Sequence, residues 1–535
     1  MSSGVCTNLP SLCSKAAQRT PLPADGPDAR CSECGAALLR TEAKTAGGNS
    51  RTLRLGAAAL AAALLLGGAG WWLLGRDAAK QPATLAAATG KPAPAPARST
   101  ADKSQMLRLH GSNTVGASFA PALLQAFLTQ EGYDQIEQKA GKEAEESLYD
   151  AKRSKDGNEL HVELHAHGSG TAFTDLRDGK TDVGMSSRPI KKEEVEFTQP
   201  LGDLAAEGSE YVIALDGLAV IVHPTNPVGK LSIAQIRGLY SGQINDWKDV
   251  GGKPGPVKRL ARDDKSGTYD TFKALVLGKD KLAEGTQRLE DSAQLSDSVA
   301  ADPQAIGFIG LPYVRQAKLL AVSDGEAAPL RPTRLTVATE DYALARRLFL
   351  YVPQNAAPLA RRFADFAVSD AGQQVAEKIG FVGQLPDPVD AGAAASSTPA
   401  DYQRVTDGAK RLSVNLRFKP GSMKLDNKGQ QDLTRIVRQL ETRLTSKQQQ
   451  VMLLGFADAQ GGTDACRNQR LSQERANAVA TELATYGIKG RVVHGFGAAA
   501  PVASNETEAG RERNRRVEVW ISDRAVQTPA AGSCG

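Results

Sequence analysis

Arg262-Asp263-Asp264-Lys265-Ser266-Gly267-Thr268 precedes a segment that reads as a helix from near Tyr269. Two earlier segments share its design. Leu107-Arg108-Leu109-His110 reads as a strand, followed by Gly111-Ser112-Asn113-Thr114-Val115-Gly116 and an amphipathic helix from Phe119 to Leu128. Leu160 to His167 reads as another strand, followed by Gly168-Ser169-Gly170-Thr171 and a helix through Leu176. Each segment puts glycine and small hydroxyl residues where a helix begins. Free N–H groups and the positive end of the helix dipole attract anions there, and glycine lets the backbone approach closely. One such loop is ordinary capping. Three, with Arg262 four residues before Ser266, suit a tetrahedral oxyanion held by an arginine fork, hydroxyls and backbone N–H groups.

Around these loops, residues 105–385 alternate short apolar runs, glycine turns and amphipathic helices, the texture of a mixed α/β domain. At these residues the stretch resembles the periplasmic phosphate-binding proteins of ABC transporters, a two-lobed type II substrate-binding fold. Thr181 to Ile190 (TDVGMSSRPI), Asp216 to Pro224 (DGLAVIVHP), Leu231 to Arg237, Ile244 to Trp247, Ile306 to Ile309 and Lys378 to Val382 also look like segments of that family. The resemblance implies ligand contacts at Ser112, Thr114, Ser169, Arg262, Ser266, Gly267 and Thr268. It departs at Ser187, where many members have an aspartate that accepts the proton of hydrogen phosphate and so rejects sulfate. A hydroxyl both donates and accepts, so that filter is lost or supplied otherwise.

Towards the C-terminus, an Ala/Ser/Pro tract at 386–405 reads as a linker, and residues 406–522 as a smaller α/β module of βαβαββ-like pattern, with 523–535 as a tail. Asp458 at a strand end and Arg475 one turn into the next helix can be an ordinary surface ion pair or a clamp for an ammonium and a carboxylate. Gly455-Phe456-Ala457-Asp458, Asn468 to Ala476 (NQRLSQERA) and Gly510 to Glu518 (GRERNRRVE) look like the OmpA C-terminal family. The resemblance implies peptidoglycan binding through diaminopimelate. Asp458 and Arg475 would grip it, Asn468 and Leu471 would shape the loop and helix start, and Arg515 or Arg516 would brace the site. The expected build is a small OmpA-like α/β sandwich.

Before the first module, Leu55 to Gly75 (LGAAALAAALLLGGAGWWLLG) is uncharged and long enough to cross a bilayer. A signal peptide would begin near the first residue. A buried alanine-rich helix is the other alternative, but Trp71 and Trp72 suit a membrane interface. Arg40, Lys44, Arg51 and Arg54 before it, against Arg76 and Lys80 after it, predict a cytoplasmic N-terminus and a periplasmic bulk, in an inner-membrane single-pass protein. Residues 77–104, rich in Ala, Pro and Thr, read as a tether. In residues 1–50, Cys6, Cys13, Cys31 and Cys34 have the spacing C-x6-C-x17-C-x2-C. They can close a zinc-ribbon-like Zn2+ site in a reducing compartment, or be reactive or unstructured thiols. Cys466 and Cys534 lie on the other side and can pair.

Composition narrows the functional classes. The 65 basic residues stand against 60 acidic ones, and aromatics are only 5%, so nothing points to nucleic acid. His161, His165 and His167 share one strand face with Glu163, which could bind a transition metal or be a polar solvated face. No nucleophile elbow, zincin or P-loop pattern is present, so the expectation is a binding protein rather than an enzyme. The expected whole is a membrane-anchored binder of phosphate or a related oxyanion, tethered to peptidoglycan. The alternative is a structural envelope protein whose two-lobed module recruits an unknown protein partner.

Overall fold

Tyr211 to Val222 is an almost unbroken run of apolar, largely β-branched and aliphatic residues, the composition of a strand covered on both faces. In the computed structural model it is the strand that passes from one lobe to the other. The structure describes residues 3–6, 22–23, 32, 38–41, 104–143, 145–264, 266–392, 398–419, 422–443, 449–459 and 464–529. The predicted span at 55–75 and the four-cysteine site lie outside the described residues and side chains. Among the described residues, no helix is long and apolar enough to cross a membrane.

The first lobe contains β1 (Ser104–Gly111), α1 (Asn113–Gly116), α2 (Phe119–Gln130), β2 (Gln135–Ala140), β3 (Glu146–Arg153), β4 (Asn158–His165), α3 (Ser169–Arg177) and β5 (Val183–Ser186). After the crossing strand β6 (Glu210–Val222), the second lobe has α4 (Ile233–Ser241), β7 (Lys258–Arg262), α5 (Gly267–Phe272), β8 (Gln287–Leu289), α6 (Ser292–Ala301) and β9 (Ala305–Gly310). The chain returns through α7 (Arg334–Ala338) and β10 (Ala345–Tyr351) to α8 (Pro358–Val368) and α9 (Asp370–Ile379). One continuous sheet runs β8-β7-β9-β6-β10-β5-β1-β4-β3-β2. The lower half of β6 pairs with β10, and its upper half, Leu218 to Val222, pairs with β9.

Each lobe has its own apolar core, as two-lobed closure requires. Leu107, Leu109, Phe119, Phe127, Val162 and Phe363 belong to the first. Val220, Tyr240, Trp247, Phe272 and Phe308 belong to the second. β4 shows how sequence decides the faces: Leu160, Val162 and Leu164 are buried, while His161, Glu163 and His165 alternate with them on the half-buried side.

The C-terminal module is a five-stranded sheet in the order β11-β12-β15-β13-β14, with β11 at Pro388–Val389, β12 at Lys410–Arg417, β13 at Gln450–Gly455, β14 at Gly490–Gly495 and β15 at Arg516–Ser522. Its helices include α10 (Ala400–Thr406), α11 (Asn427–Arg443), α12 (Ala465–Ala484) and α13 (Glu508–Asn514). Both faces of β13 are covered: Val451 and Leu453 lie in one cluster with Ile436 and Val479, whereas Met452 and Leu454 lie in another with Tyr402 and Trp520.

The stretch 386–405, expected to separate the modules, contributes β11 and the start of α10 to the second one. The modules meet through buried charges. Glu340 holds Arg347 at 2.6 Å and Arg417 at 3.1 Å, and Arg347 also pairs with Asp426 at 2.8 Å. Asp341 pairs with Arg411 at 2.8 Å and accepts from Asn415 Nδ2 at 2.8 Å. Glu340 adopts a left-handed φ of 58°, unusual for a residue with a side chain. Burial pushes its carboxyl pKa up, but the Arg347 and Arg417 guanidiniums outweigh that and hold it below its ordinary value.

Candidate functional site

The three hydroxyl loops converge where the lobes face one another. Gly111 ends β1 at φ 140°, where an added Cβ would lie 2.0 Å from the Met185 carbonyl, so only glycine fits. Ser112 N then donates to that carbonyl at 2.9 Å, and α1 follows. Gly168 N donates to Gly111 O at 2.7 Å, which sets the second loop beside the first. Ser187 N donates to Ser169 Oγ at 3.0 Å, and the two hydroxyls are 3.2 Å apart. From the opposite lobe, Gly267 packs so closely on Thr114 that a Cβ there would lie 2.1 Å from Thr114 Oγ1. Ser266 caps α5, its Oγ accepting from Thr268 N at 3.2 Å and Tyr269 N at 3.5 Å.

Ser112, Ser169, Ser187, Ser266 and Thr268 are all buried. The Ser112 Oγ is the telling one, because it is enclosed and makes no hydrogen bond among the described residues. A buried hydroxyl without a partner costs about 1–3 kcal/mol, a cost that a bound acceptor removes. Arg262 sits differently from the expectation. Its Nε donates to Leu289 O at 3.2 Å, Nη1 donates to Ser292 Oγ, and Asp263 lies 3.5 Å away, all on its own lobe. Burial lowers its pKa. Among the described residues it bonds to none of the loop hydroxyls.

The arginine that does reach the loops is one sequence reading missed. Arg346, on β10, donates through Nη2 to Thr114 Oγ1 at 3.3 Å and through Nη1 to the Gly267 carbonyl and Thr271. Its charge is balanced by Asp216 on β6, with Nε at 2.9 Å and Nη2 at 2.6 Å from the same carboxylate oxygen. Their side chains are 5% and 2% exposed. The available signal was a lone acid in the apolar run of β6 and an arginine doublet in the apolar run of β10.

In the C-terminal module, Asp458 follows β13 and is gripped by Arg515 Nη1 at 2.7 Å, while Arg515 Nη2 holds Glu508 at 2.7 Å. Arg475, one side of α12, is 6% exposed, and among the described residues no carboxylate pairs with it. Among the described residues its Nε has no partner, its Nη1 reaches Phe456 O at only 3.4 Å, and burial lowers its pKa while nearby Asp458 acts the other way. Asn468 is buried and Leu471 half-buried on the same helix. Arg516 faces away from this group: it lies over the Phe456 ring at 3.9 Å and pairs with buried Glu518 at 2.9 Å. Cys466, near the helix start, is disulfide-bonded.

Comparison with known proteins finds two families along the chain. Residues 131–371 match the family described as PBP superfamily domain, and residues 417–515 match the OmpA family. The phosphate-binding protein PstS of Staphylococcus haemolyticus is 31% identical over 241 residues, 43% of this chain and 74% of that protein. The PstS of Staphylococcus saprophyticus is 32% identical over the same shares. Among solved structures, an ABC-type phosphate transport receptor from Vibrio cholerae aligns with 52% of this chain and 99% of its own, at 23% identity and a TM-score of 0.41.

Proposed function

The chain belongs to the PBP superfamily, in common with PstS proteins that it covers over 74% of their length, and on that premise we propose that it is a non-enzymatic binder of phosphate or a similar oxyanion. The carrying observation is the set of three loops from both lobes with buried hydroxyls, among which Ser112 Oγ is enclosed and has no partner among the described residues. An anion there would receive the Ser112, Thr114, Ser169, Ser187 and Thr268 hydroxyls, with Gly267 allowing the close approach of the two lobes. Arg346, neutralised by Asp216, would orient Thr114. Arg262 would have to leave Ser292 to reach the ligand. Gly267→Ala should abolish phosphate binding in calorimetry while the protein stays folded, because its Cβ would displace Thr114; unchanged affinity would refute the reading.

The C-terminal module carries an OmpA family domain, and its tethering role is part of the same proposal. Arg475 offers a buried guanidinium to a carboxylate, and Asp458, braced by Arg515, offers a carboxylate to an ammonium, the two charged groups of one amino-acid head of diaminopimelate. Sedimentation with purified peptidoglycan should be lost in Arg475→Ala; retention would refute the clamp. The Cys466 disulfide supports an oxidising compartment, hence a periplasmic position for both modules. The apolar stretch 55–75 would anchor the chain in the inner membrane, and Cys6, Cys13, Cys31 and Cys34 would hold Zn2+ on the cytoplasmic side.

One observation favours the second reading, a structural envelope protein that recruits a partner: Arg262 is engaged on its own lobe instead of the loops. Silence towards anions would select it.

A further inference from the structure

We propose that His110, Glu163 and His165 form a binding site for a divalent transition-metal ion on the first lobe's sheet. β1 and β4 run parallel with His110 directly beside His165 in register, and Glu163 precedes His165 by two residues on the same face. One nitrogen from each histidine and a Glu163 oxygen lie within 4.8 Å of one another. The two rings stack at a centroid distance of 4.2 Å.

His110 supplies the observation that distinguishes this cluster from a solvated polar face. It is only 5% exposed, and its Nε2 has no hydrogen-bond partner among the described residues. Its other nitrogen, Nδ1, is bonded to Asp175 at 2.9 Å from α3. A carboxylate that holds one imidazole nitrogen fixes the tautomer, leaving the other nitrogen's lone pair free, and this is how metal-binding histidines are oriented. The neighbouring groups have other partners. His161 pairs with Asp150 at 2.6 Å, and Glu146 accepts from His167 at 3.1 Å and from the N–H groups of Lys142 and Glu143. Glu146 also stands 3.8 Å from His165, the edge of the site.

Two imidazoles and a carboxylate suit Zn2+, Ni2+ or Cu2+ rather than Ca2+ or Mg2+, with water in the remaining positions. The site lies at the roots of two hydroxyl loops, since Ser112 follows His110 by two residues and Ser169 follows His165 by four.

The test uses the full chain with Cys6→Ser, Cys13→Ser, Cys31→Ser and Cys34→Ser, which removes thiolate competition, in equilibrium dialysis against Zn2+. One saturable equivalent is expected, weakened about tenfold or more by His165→Ala or Glu163→Gln and about 10–100-fold by Asp175→Asn. His161→Ala should leave it unchanged. Glu163 is partly exposed, so Glu163→Gln keeps the test valid if a histidine variant unfolds; circular dichroism checks each protein. Absence of saturable binding, binding indifferent to Glu163→Gln and His165→Ala, or binding lost in His161→Ala would overturn the proposal.

Discussion

Replacing Asp216 with Asn should lower stability and tighten anion binding at once. Asp216 is the single described carboxylate paired with Arg346, whose remaining contacts, Thr114, Gly267 and Thr271, are neutral. Both side chains are enclosed, so the variant leaves a buried guanidinium uncompensated, at a cost of about 3–5 kcal/mol. At roughly 2–4 °C per kcal/mol for a domain of this size, the thermal midpoint should fall by roughly 6–20 °C. The released charge stands beside Thr114, so phosphate affinity below the new midpoint should rise. Adding Arg346→Met removes the orphaned charge, and the double variant should be more stable than Asp216→Asn alone. Differential scanning calorimetry with phosphate titration reads both effects. A fall of less than about 3 °C, the scale of an exposed pair, or a parallel loss of affinity would refute the reasoning.

Other consequences follow from the junction, the histidines and Ser187. Glu340→Gln leaves Arg347 and Arg417 sharing a neutral partner; limited proteolysis should then cut between the modules faster than in the parent, and equal rates would show that the junction does not depend on the pair. His494 is buried against Phe496, and desolvation lowers its pKa. Its neutral form is therefore the one folding favours. That contribution is complete above the unfolded value near 6.5 and is lost as pH falls from there through the folded value. The thermal midpoint should drop between pH 7 and pH 5, and His494→Gln should flatten that drop; an unaltered slope would contradict the assignment. Ser187→Asp would restore a proton acceptor beside Ser169, so sulfate should compete with phosphate in the parent and fail to do so in the variant. Equal sulfate competition in both would remove Ser187 from the site.

What sequence reveals here is what is local. The glycine and hydroxyl loops were legible because turn, cap and helix start are written within a few residues, and β4 declares its faces by alternation. The pairing of Asp216 with Arg346 spans 130 residues and is set by the strand register, which no window of sequence contains. Arg515 and Arg516 were indistinguishable as braces. In the fold, Arg515 closes α13 and turns to Asp458, while Arg516 starts β15 and turns into the module. The Ala/Ser/Pro tract misled for a different reason. Its composition excludes a core, but Pro388–Val389 gains ladder bonds from β12 and α10 gains cover from Trp520, both supplied by distant residues. The resemblance implies a ligand contact at Arg262, whereas its partners among the described residues, Leu289, Ser292 and Asp263, are on its own lobe.

The most direct measurement is calorimetric titration of the full chain with phosphate, sulfate and chloride, repeated with Ser112→Ala and Arg262→Ala. The account predicts saturable phosphate binding, weakened by loss of the enclosed Ser112 hydroxyl by about 1–3 kcal/mol, or roughly 5–150-fold. No heat from any of the anions, with the protein shown to be folded, would contradict it.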